Sequence, residues 1–420
     1  MKAVVFTLGC KVNDVESGSL IRGLEEMGYE VSRQMEAADL YIINTCAVTG
    51  EAERKSRQTV GKAVKAGGKN ARVIVCGCAS QKNALPFLEK GDGVIFVSGA
   101  QGKGKILELV REGLDNASYG ARVEELSKDY EEMLTPHCLK TRNFVKIQDG
   151  CNRFCSYCII PYLRGRSRSR KLSSLVDEVL SSSAEETVLT GIDISDYRDG
   201  DGNTLTELLL ALKDADTRIR LGSIEVSLIT PEFLSAAKRV KNFAPQFHLS
   251  LQSGSNAVLK SMNRRYTREE YIEKCKMIYA AFENASITTD IIVGFPTETE
   301  EDFMQSMKIV EEVGFLQVHA FPYSPREGTN AYKRYKELPY AIKKERVERL
   351  IERANEVKKR YLESYIGKTL SIVPENRIGE YTEGYSENYI RVYARGEFGK
   401  EPTRVRVEGL YQDGVIAVKE

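Results

Sequence analysis

Tryptophan is absent from the 420 residues, and only three histidines occur. His248 and His319 sit inside the apolar stretches FHLSL and VHAF, and His137 lies in a polar segment. No serine or cysteine pattern nearby makes a nucleophilic triad, so all three read as structural. Missing too is any apolar run near the ~20 residues that span a bilayer. The opening stretch MKAVVFTLGC enters a strand pattern without a signal-peptide core, and the expectation is a cytoplasmic protein with no membrane association. Net charge is almost nil, 61 basic against 60 acidic side chains. The chain as a whole therefore lacks the electrostatic footprint of a nucleic-acid binder, and any RNA site must be a local patch. Nine cysteines, an odd number without an export signal, argue for reduced thiols used as ligands rather than a disulfide frame. The sequon Asn116-Ala117-Ser118 then carries no meaning. What is present is an ordinary globular composition, 42% hydrophobic and 29% charged, long enough for two or three domains.

The stretch from Lys146 to Lys171, KIQDGCNRFCSYCIIPYLRGRSRSRK, places Cys151, Cys155 and Cys158 in the spacing C-x3-C-x2-C. Soft thiolates this close select iron-sulfur clusters, zinc or copper. A cubane cluster normally takes four cysteines, so three leave one iron without a local ligand, and an open metal position usually means chemistry. The competing reading is a structural zinc site. Beside it, Arg164, Arg166, Arg168, Arg170 and Lys171 put five positive charges in nine residues, suited to RNA phosphates or to a charged cofactor and substrate. The plain alternative is a solvated helix start.

Residues 2 to 115 alternate strand and helix, an α/β pattern with a mainly parallel sheet. Ligands gather beyond the carboxyl ends of such strands. Cys10 ends the first strand, Cys46 the second and Cys78 the third, so a second three-cysteine site is inferred, three unrelated core cysteines being the plain alternative. Cys76 shares strand parity with Cys78; Gly77, marking the break into loop, favours Cys78 as the exposed ligand and Cys76 as a small buried hydrophobe. Gly99 to Lys105, GAQGKGK, fits G-x4-G-K after a strand, but Ile106 stands where a P-loop needs Ser or Thr, so a glycine-rich turn is read instead.

Residues 116 to 141 read as a polar linker. From 142 to 360, six strand and helix units suggest a partial parallel barrel with its site at the carboxyl ends of the strands. Those ends carry Gly191 and Asp193, Glu225, Gln252 and Ser253, and Gly294. Leu338 to Ile366 reads as a charged connecting helix. Residues 361 to 420 turn to short strands with glycine turns, a small β-barrel, on which Tyr381, Tyr385, Tyr389, Arg391 and Arg395 offer either stacking groups or packing.

The cysteine loop resembles the signature of the radical S-adenosylmethionine enzymes. The words TLGCKVN, NTCAVT and CGCASQ resemble the three cluster motifs of the methylthiotransferase branch, as do LSLQSGSNAVLKSMNRRYT, DIIVGFPTETEEDF and FPYSPREGTNA. The resemblance implies a [4Fe-4S] cluster on Cys151, Cys155 and Cys158 whose open iron takes S-adenosylmethionine. It implies an auxiliary [4Fe-4S] cluster on Cys10, Cys46 and Cys78, and cofactor contacts from Tyr157, Gly191, Asp193, Glu225, Gln252, Ser253 and Gly294. The basic run would meet substrate through Arg164, Arg166, Arg168 and Arg170. The terminal barrel resembles the TRAM domain, an RNA-binding module. Within the branch, TLGCKVN resembles the group acting on N6-threonylcarbamoyladenosine at position 37 of the tRNA anticodon loop. The same chemistry on isopentenyladenosine, or on an aspartate of a ribosomal protein, is the near alternative; a zinc-containing RNA-binding protein is the distant one. An electron donor such as a flavodoxin or ferredoxin and a sulfur source are implied partners.

Overall fold

A computed structural model describes residues 1–70, 72–114, 120–136 and 141–420. The sequon at 116–118, His137 and the ninth cysteine, Cys138, lie outside the described residues. The chain forms two compact units: residues 1–137, 148–170 and 324–332 make the first, and 138–147, 171–323 and 333–420 the second. The expected boundary at 142 thus gives way to one in which the cysteine loop belongs with the N-terminal sheet. A buried ion-pair network, described below, is the reason.

In the first unit, strands Lys2–Thr7, Leu40–Thr45, Val73–Gly77 and Val94–Ser98 run parallel, with Glu30–Ser32 at one edge and Gly120–Arg122 at the other. The strand cores VVF, LYII, VIV and VIF are continuous apolar runs, as a sheet buried on both faces requires. Helix Lys11–Glu26 covers one face and Gly50–Gly67 the other. Among the described residues of the expected linker, Gly120–Arg122 is the sixth strand, and two later residues bind elements of the first unit. Glu131 accepts from the Gly102 and Gly104 amides at 3.1 Å, and the Thr135 carbonyl accepts from Arg22 at 2.9 Å. The glycine-rich turn that looks like a phosphate loop is therefore filled by the chain's own carboxylate. Lys103 within it is fully buried against Glu16 at 3.0 Å.

In the second unit, two parallel sheets form the partial barrel: Arg142–Lys146, Glu186–Thr190 and Arg218–Leu221 in one, and Ser223–Ile224, Gln246–Leu249, Ser286–Val293 and Gln317–Pro322 in the other. The backbone breaks between Arg218–Leu221 and Ser223–Ile224 at Gly222, where a Cβ would come within 3.1 Å of the Leu189 carbonyl oxygen. Alternate residues such as Phe247, Leu249, Ile287, Ile291 and Val318 enter the main core under the helices, and the intervening ones face inward. Helix Tyr340–Glu363 is more than a connector, since Leu350, Ala354 and Val357 join that core.

The terminal strands Thr369–Ile378, Tyr381–Ser386, Arg391–Arg395, Thr403–Tyr411 and Gly414–Lys419 close into a barrel. It packs within the second unit against the amino ends of the partial barrel. Buried Glu186 holds Arg142 at 2.9 Å and Arg220 at 2.7 Å, and Arg220 also donates to the Ser386 carbonyl. Tyr385 and Tyr389 stack at 4.7 Å, and the Arg142 guanidinium lies over the Tyr385 ring at 4.7 Å. These two tyrosines pack the junction rather than standing open to bases.

Candidate functional site: two three-cysteine sets in one unit

The three N-terminal cysteines converge because their strands are neighbours in register. Thr7 pairs with Asn44, and Thr45 with Gly77, so the chain leaves all three strands at one edge and places Cys10, Cys46 and Cys78 there. A Cβ on Gly9 would lie 2.8 Å from both Cβ and Sγ of Cys46, and Gly9 has φ +104°, so this position admits only glycine. Cys10 is exposed, while Cys46 and Cys78 are buried. Burial pushes the Cys46 thiol up to about 11, with the nearby Cys78 and Cys10 adding to the rise. Burial also raises Cys78, against the pull of Arg164. Cys76 is fully buried among apolar side chains, as a packing cysteine should be. The expectation that Cys78 is the exposed one of the pair is corrected, because Arg164 covers it.

Arg164 is 0% exposed, and its guanidinium is shared five ways. Nε donates to Cys78 Sγ at 3.3 Å. Nη1 donates to Glu16 at 2.9 Å and Asp149 at 3.0 Å, and Nη2 to Asn13 at 2.6 Å and Glu16 at 3.2 Å. Asp149 in turn holds Arg168 at 3.0 Å and the Gly150 amide at 2.7 Å. Cysteine-loop and sheet residues are thereby locked through buried charge, with Arg164 on the loop and Glu16 on the helix that follows the first strand. Breaking such a pair costs far more than forming it gains.

This network corrects two of the four expected substrate contacts. The terminal nitrogens of Arg164 and Arg168 are committed to Glu16, Asp149, Asn13 and backbone carbonyls, and both side chains are buried, so neither is placed to meet a phosphate. Arg170 pairs with Glu132 at 3.1 Å. Arg166 is exposed, with its guanidinium 4.4 Å from the centre of the Phe154 ring.

Cys151, Cys155 and Cys158 are all partly exposed, on a loop pinned at both ends. The Cys151 amide donates to the Gly165 carbonyl at 3.1 Å, and the Cys158 amide to Cys155 at 3.0 Å. Phe154 takes φ +49°, which turns the loop between its first two thiols. The Ser156 carbonyl accepts from the Ala331 amide at 2.7 Å, fixing the stretch that carries Tyr157. A cavity of about 470 Å³ lies in the same unit, lined in part by Ala79 and Ile159, the residues after Cys78 and Cys158. Each set thus offers three sulfurs, two sets in one compact unit, and an all-thiolate donor set of three fits a [4Fe-4S] cluster with one iron left open.

The remaining expected cofactor residues lie in the second unit at the carboxyl ends of its strands. Gly191 and Asp193 follow Glu186–Thr190, and the Glu225 amide donates to Ser195 Oγ at 2.7 Å. Gln252 takes φ +68°, with its amide on the Asp290 carbonyl at 2.8 Å, and Ser253 follows it fully buried. Gly294 takes φ +66°, and its amide donates to Glu298 at 2.7 Å. Glu298 itself escaped sequence reasoning. Burial pushes it up to about 7, against the Gly294 amide and Arg346 at 2.6 Å. His248 and His319, read from apolar stretches, stand outside the apolar core. Both stand on the inward face of the partial barrel, with Asp290 between them in sequence, their potential ligand atoms all within 4.8 Å of one another.

A radical SAM superfamily model matches residues 145–310, and the model of the uncharacterized protein family UPF0004 matches residues 2–99. The threonylcarbamoyladenosine tRNA methylthiotransferase of Bacillus subtilis is 36% identical over 94% of this chain and 91% of its own. The tRNA-2-methylthio-N(6)-dimethylallyladenosine synthase of Thermosipho africanus is 38% identical over 90% of this chain and 89% of its own. The fold is shared with the radical S-adenosylmethionine methyltransferase TsrM from Kitasatospora setae, at a TM-score of 0.56 and 14% identity, over 77% of this chain and 76% of that one. No helix among the described residues is long and apolar enough to cross a membrane. With a relative this similar over nearly its whole length and both cysteine sets in place, the chain belongs to the radical SAM methylthiotransferases, enzymes of [4Fe-4S] clusters and S-adenosylmethionine.

Proposed function

We propose that this enzyme converts N6-threonylcarbamoyladenosine at position 37 of tRNA into its 2-methylthio derivative. The observation that carries the reading is the pairing of two three-thiolate sets in one unit, in a chain whose Bacillus subtilis relative matches it over 94% of its length. When bound, the clusters and S-adenosylmethionine supply the radical that removes the C2 hydrogen and the sulfur and methyl that replace it. Cys151, Cys155 and Cys158 would hold the cluster that meets S-adenosylmethionine, and Cys10, Cys46 and Cys78 the auxiliary one.

The chain's own residues hold and position. Arg164 keeps a donor on Cys78 and ties the loop to the helix after the first strand through Glu16 and Asn13. Gly191, Asp193, Glu225, Gln252, Ser253 and Gly294 stand at strand ends where a barrel places its ligands, and with Tyr157 they would contact the cofactor. Arg166, the exposed arginine of the basic run, is the one suited to a backbone phosphate. The terminal barrel would add RNA affinity. An anticodon-loop base must be splayed out to reach the reactive groups, as proteins usually read single-stranded RNA. Cytoplasmic location, a flavodoxin or ferredoxin as electron donor and a separate sulfur source complete the reading.

The second reading, isopentenyladenosine as substrate, is favoured by the Thermosipho africanus relative's name. Synthetic anticodon stem-loops carrying either nucleoside decide between them. Methylthiolation of the threonylcarbamoyl RNA supports the proposal, and activity on the isopentenyl RNA alone would end it. Purified protein with zinc and no iron would end the enzyme reading altogether.

A further inference from the structure

His248, Asp290 and His319 come from three adjacent strands, with His248 in register with Thr288 and Asp290 with His319. His248 Nε2 lies 3.2 Å from Asp290 Oδ2. Its Nδ1 lies 2.9 Å from Thr288 Oγ1, which accepts from the Gln246 amide at 3.0 Å. A relay follows: Gln246 donates to Thr288, the Thr288 hydroxyl donates to Nδ1, and the Nε2 hydrogen points at Asp290. Such a relay fixes the ring and its tautomer. The two imidazoles lie 5.9 Å apart, and His319 is exposed on the inner face. Asp290 keeps 30% of its side chain accessible. Its backbone carbonyl accepts from Gln252 at 2.8 Å, so the group abuts a strand end expected to meet cofactor. Two residues further along the same strands, Ile292 pairs with Phe321, which is 47% exposed.

A polar group of two imidazoles and a carboxylate, facing inward beside an apolar wall, loses its water when a substrate enters, which is costly unless the substrate's own polar groups replace it. We propose that it is the subsite for the N6 substituent of the target adenine, and that it selects a hydroxy-acid group. The inference deepens the proposed function and rests on it. His319 offers an N–H donor to a carboxylate, His248 holds Asp290 in place through Nε2, and Asp290 accepts from a hydroxyl or a ureido N–H. A five-carbon prenyl chain would offer none of these and would strip water from Asp290 without replacing it. Sites built to hydrogen-bond their substrate reject analogues lacking those groups far more strongly than apolar pockets reject polar ones. Overall likeness does not separate the two nucleosides, since relatives named for each match at 36% and 38% identity. His319 and Asp290 are the residues that would.

The test measures kcat and KM on stem-loops differing only in the N6 group, threonylcarbamoyl or isopentenyl, for wild type, His319→Phe, His319→Gln and Asp290→Asn. The ratio of the two kcat/KM values is internal to one preparation, so partial misfolding does not move it. His319→Phe is expected to lower the threonylcarbamoyl preference about 10- to 100-fold, mostly through KM, with His319→Gln recovering part by restoring a donor. A ratio unchanged in both His319→Phe and Asp290→Asn would overturn the inference. So would one zinc per chain in wild type that is lost in His319→Phe, which would make the group a metal site. A wild type that modifies only isopentenyl RNA would instead defeat the underlying functional reading.

Discussion

Replacing Arg164 with methionine should destabilise the first unit more than any other change to the basic run. Five donor contacts vanish: one to Cys78, two to Glu16, and one each to Asp149 and Asn13. Glu16 keeps Lys103 at 3.0 Å and Asp149 keeps Arg168 at 3.0 Å, so neither acid is stranded outright. Removing one partner of a buried pair costs about 3–5 kcal/mol. In a unit of roughly 170 residues each kcal/mol moves the midpoint by about 2–4 °C, giving a fall of about 6–20 °C. Thermal unfolding followed by circular dichroism measures it, with Arg166→Met, an exposed neighbour, as the control. Adding Glu16→Gln to Arg164→Met removes the surplus negative charge, so the double variant should lose at least about 1 kcal/mol less than the sum of the singles. A midpoint shift below about 2 °C, or strict additivity, would refute the claim that Arg164 locks loop to sheet. The loss of its N–H on Cys78 should also lower the reduction potential of the auxiliary cluster, read by redox titration.

Gly9→Ala places a Cβ against Cys46 in a backbone conformation disfavoured for alanine; iron should fall from about eight to about four per chain, and retention of both clusters would count against the placement. Cys151→Ala should abolish cleavage of S-adenosylmethionine, whereas Cys46→Ala should retain cleavage and lose methylthiolation; identical phenotypes would mean the two sets do not divide the work. Glu298 is pushed up to about 7 in the fold, from an ordinary value near 4.5. The folded state therefore holds a proton that the unfolded state releases between those values. Stability should fall as pH rises from about 4.5 to about 7, by at most about 3 kcal/mol, and Glu298→Gln should remove that slope in denaturant titrations. A wild-type slope that persists in the variant assigns it to another group.

Both cysteine sets were legible because each thiol has a local signature: three ends of consecutive buried strands in one case, a compact loop in the other. Arg164 was not. An arginine among arginines and serines reads as solvated, and its partner Glu16 lies 148 residues away. The sixth strand, Gly120–Arg122, was hidden by its length and polar composition, since a short edge strand leaves no apolar run. Strand Tyr381–Ser386, YTEGYS, shows the same lack of continuous apolar character. The histidines misled for another reason. FHLSL is apolar overall, but strand parity sends Phe247 and Leu249 into the core and His248 to the opposite face. Only the register between strands showed that Asp290 and His319 share that face.

The central claim is that this chain inserts a methylthio group into a tRNA adenine using two clusters. The most direct measurement is mass spectrometry of nucleosides from a threonylcarbamoyl-bearing anticodon stem-loop, after reaction with the anaerobically reconstituted protein, S-adenosylmethionine and a reductant. Wild type is expected to yield the 2-methylthio nucleoside, and Cys46→Ala or Cys151→Ala none. An unmodified nucleoside from wild type carrying both clusters, or the same product from Cys46→Ala, would contradict it.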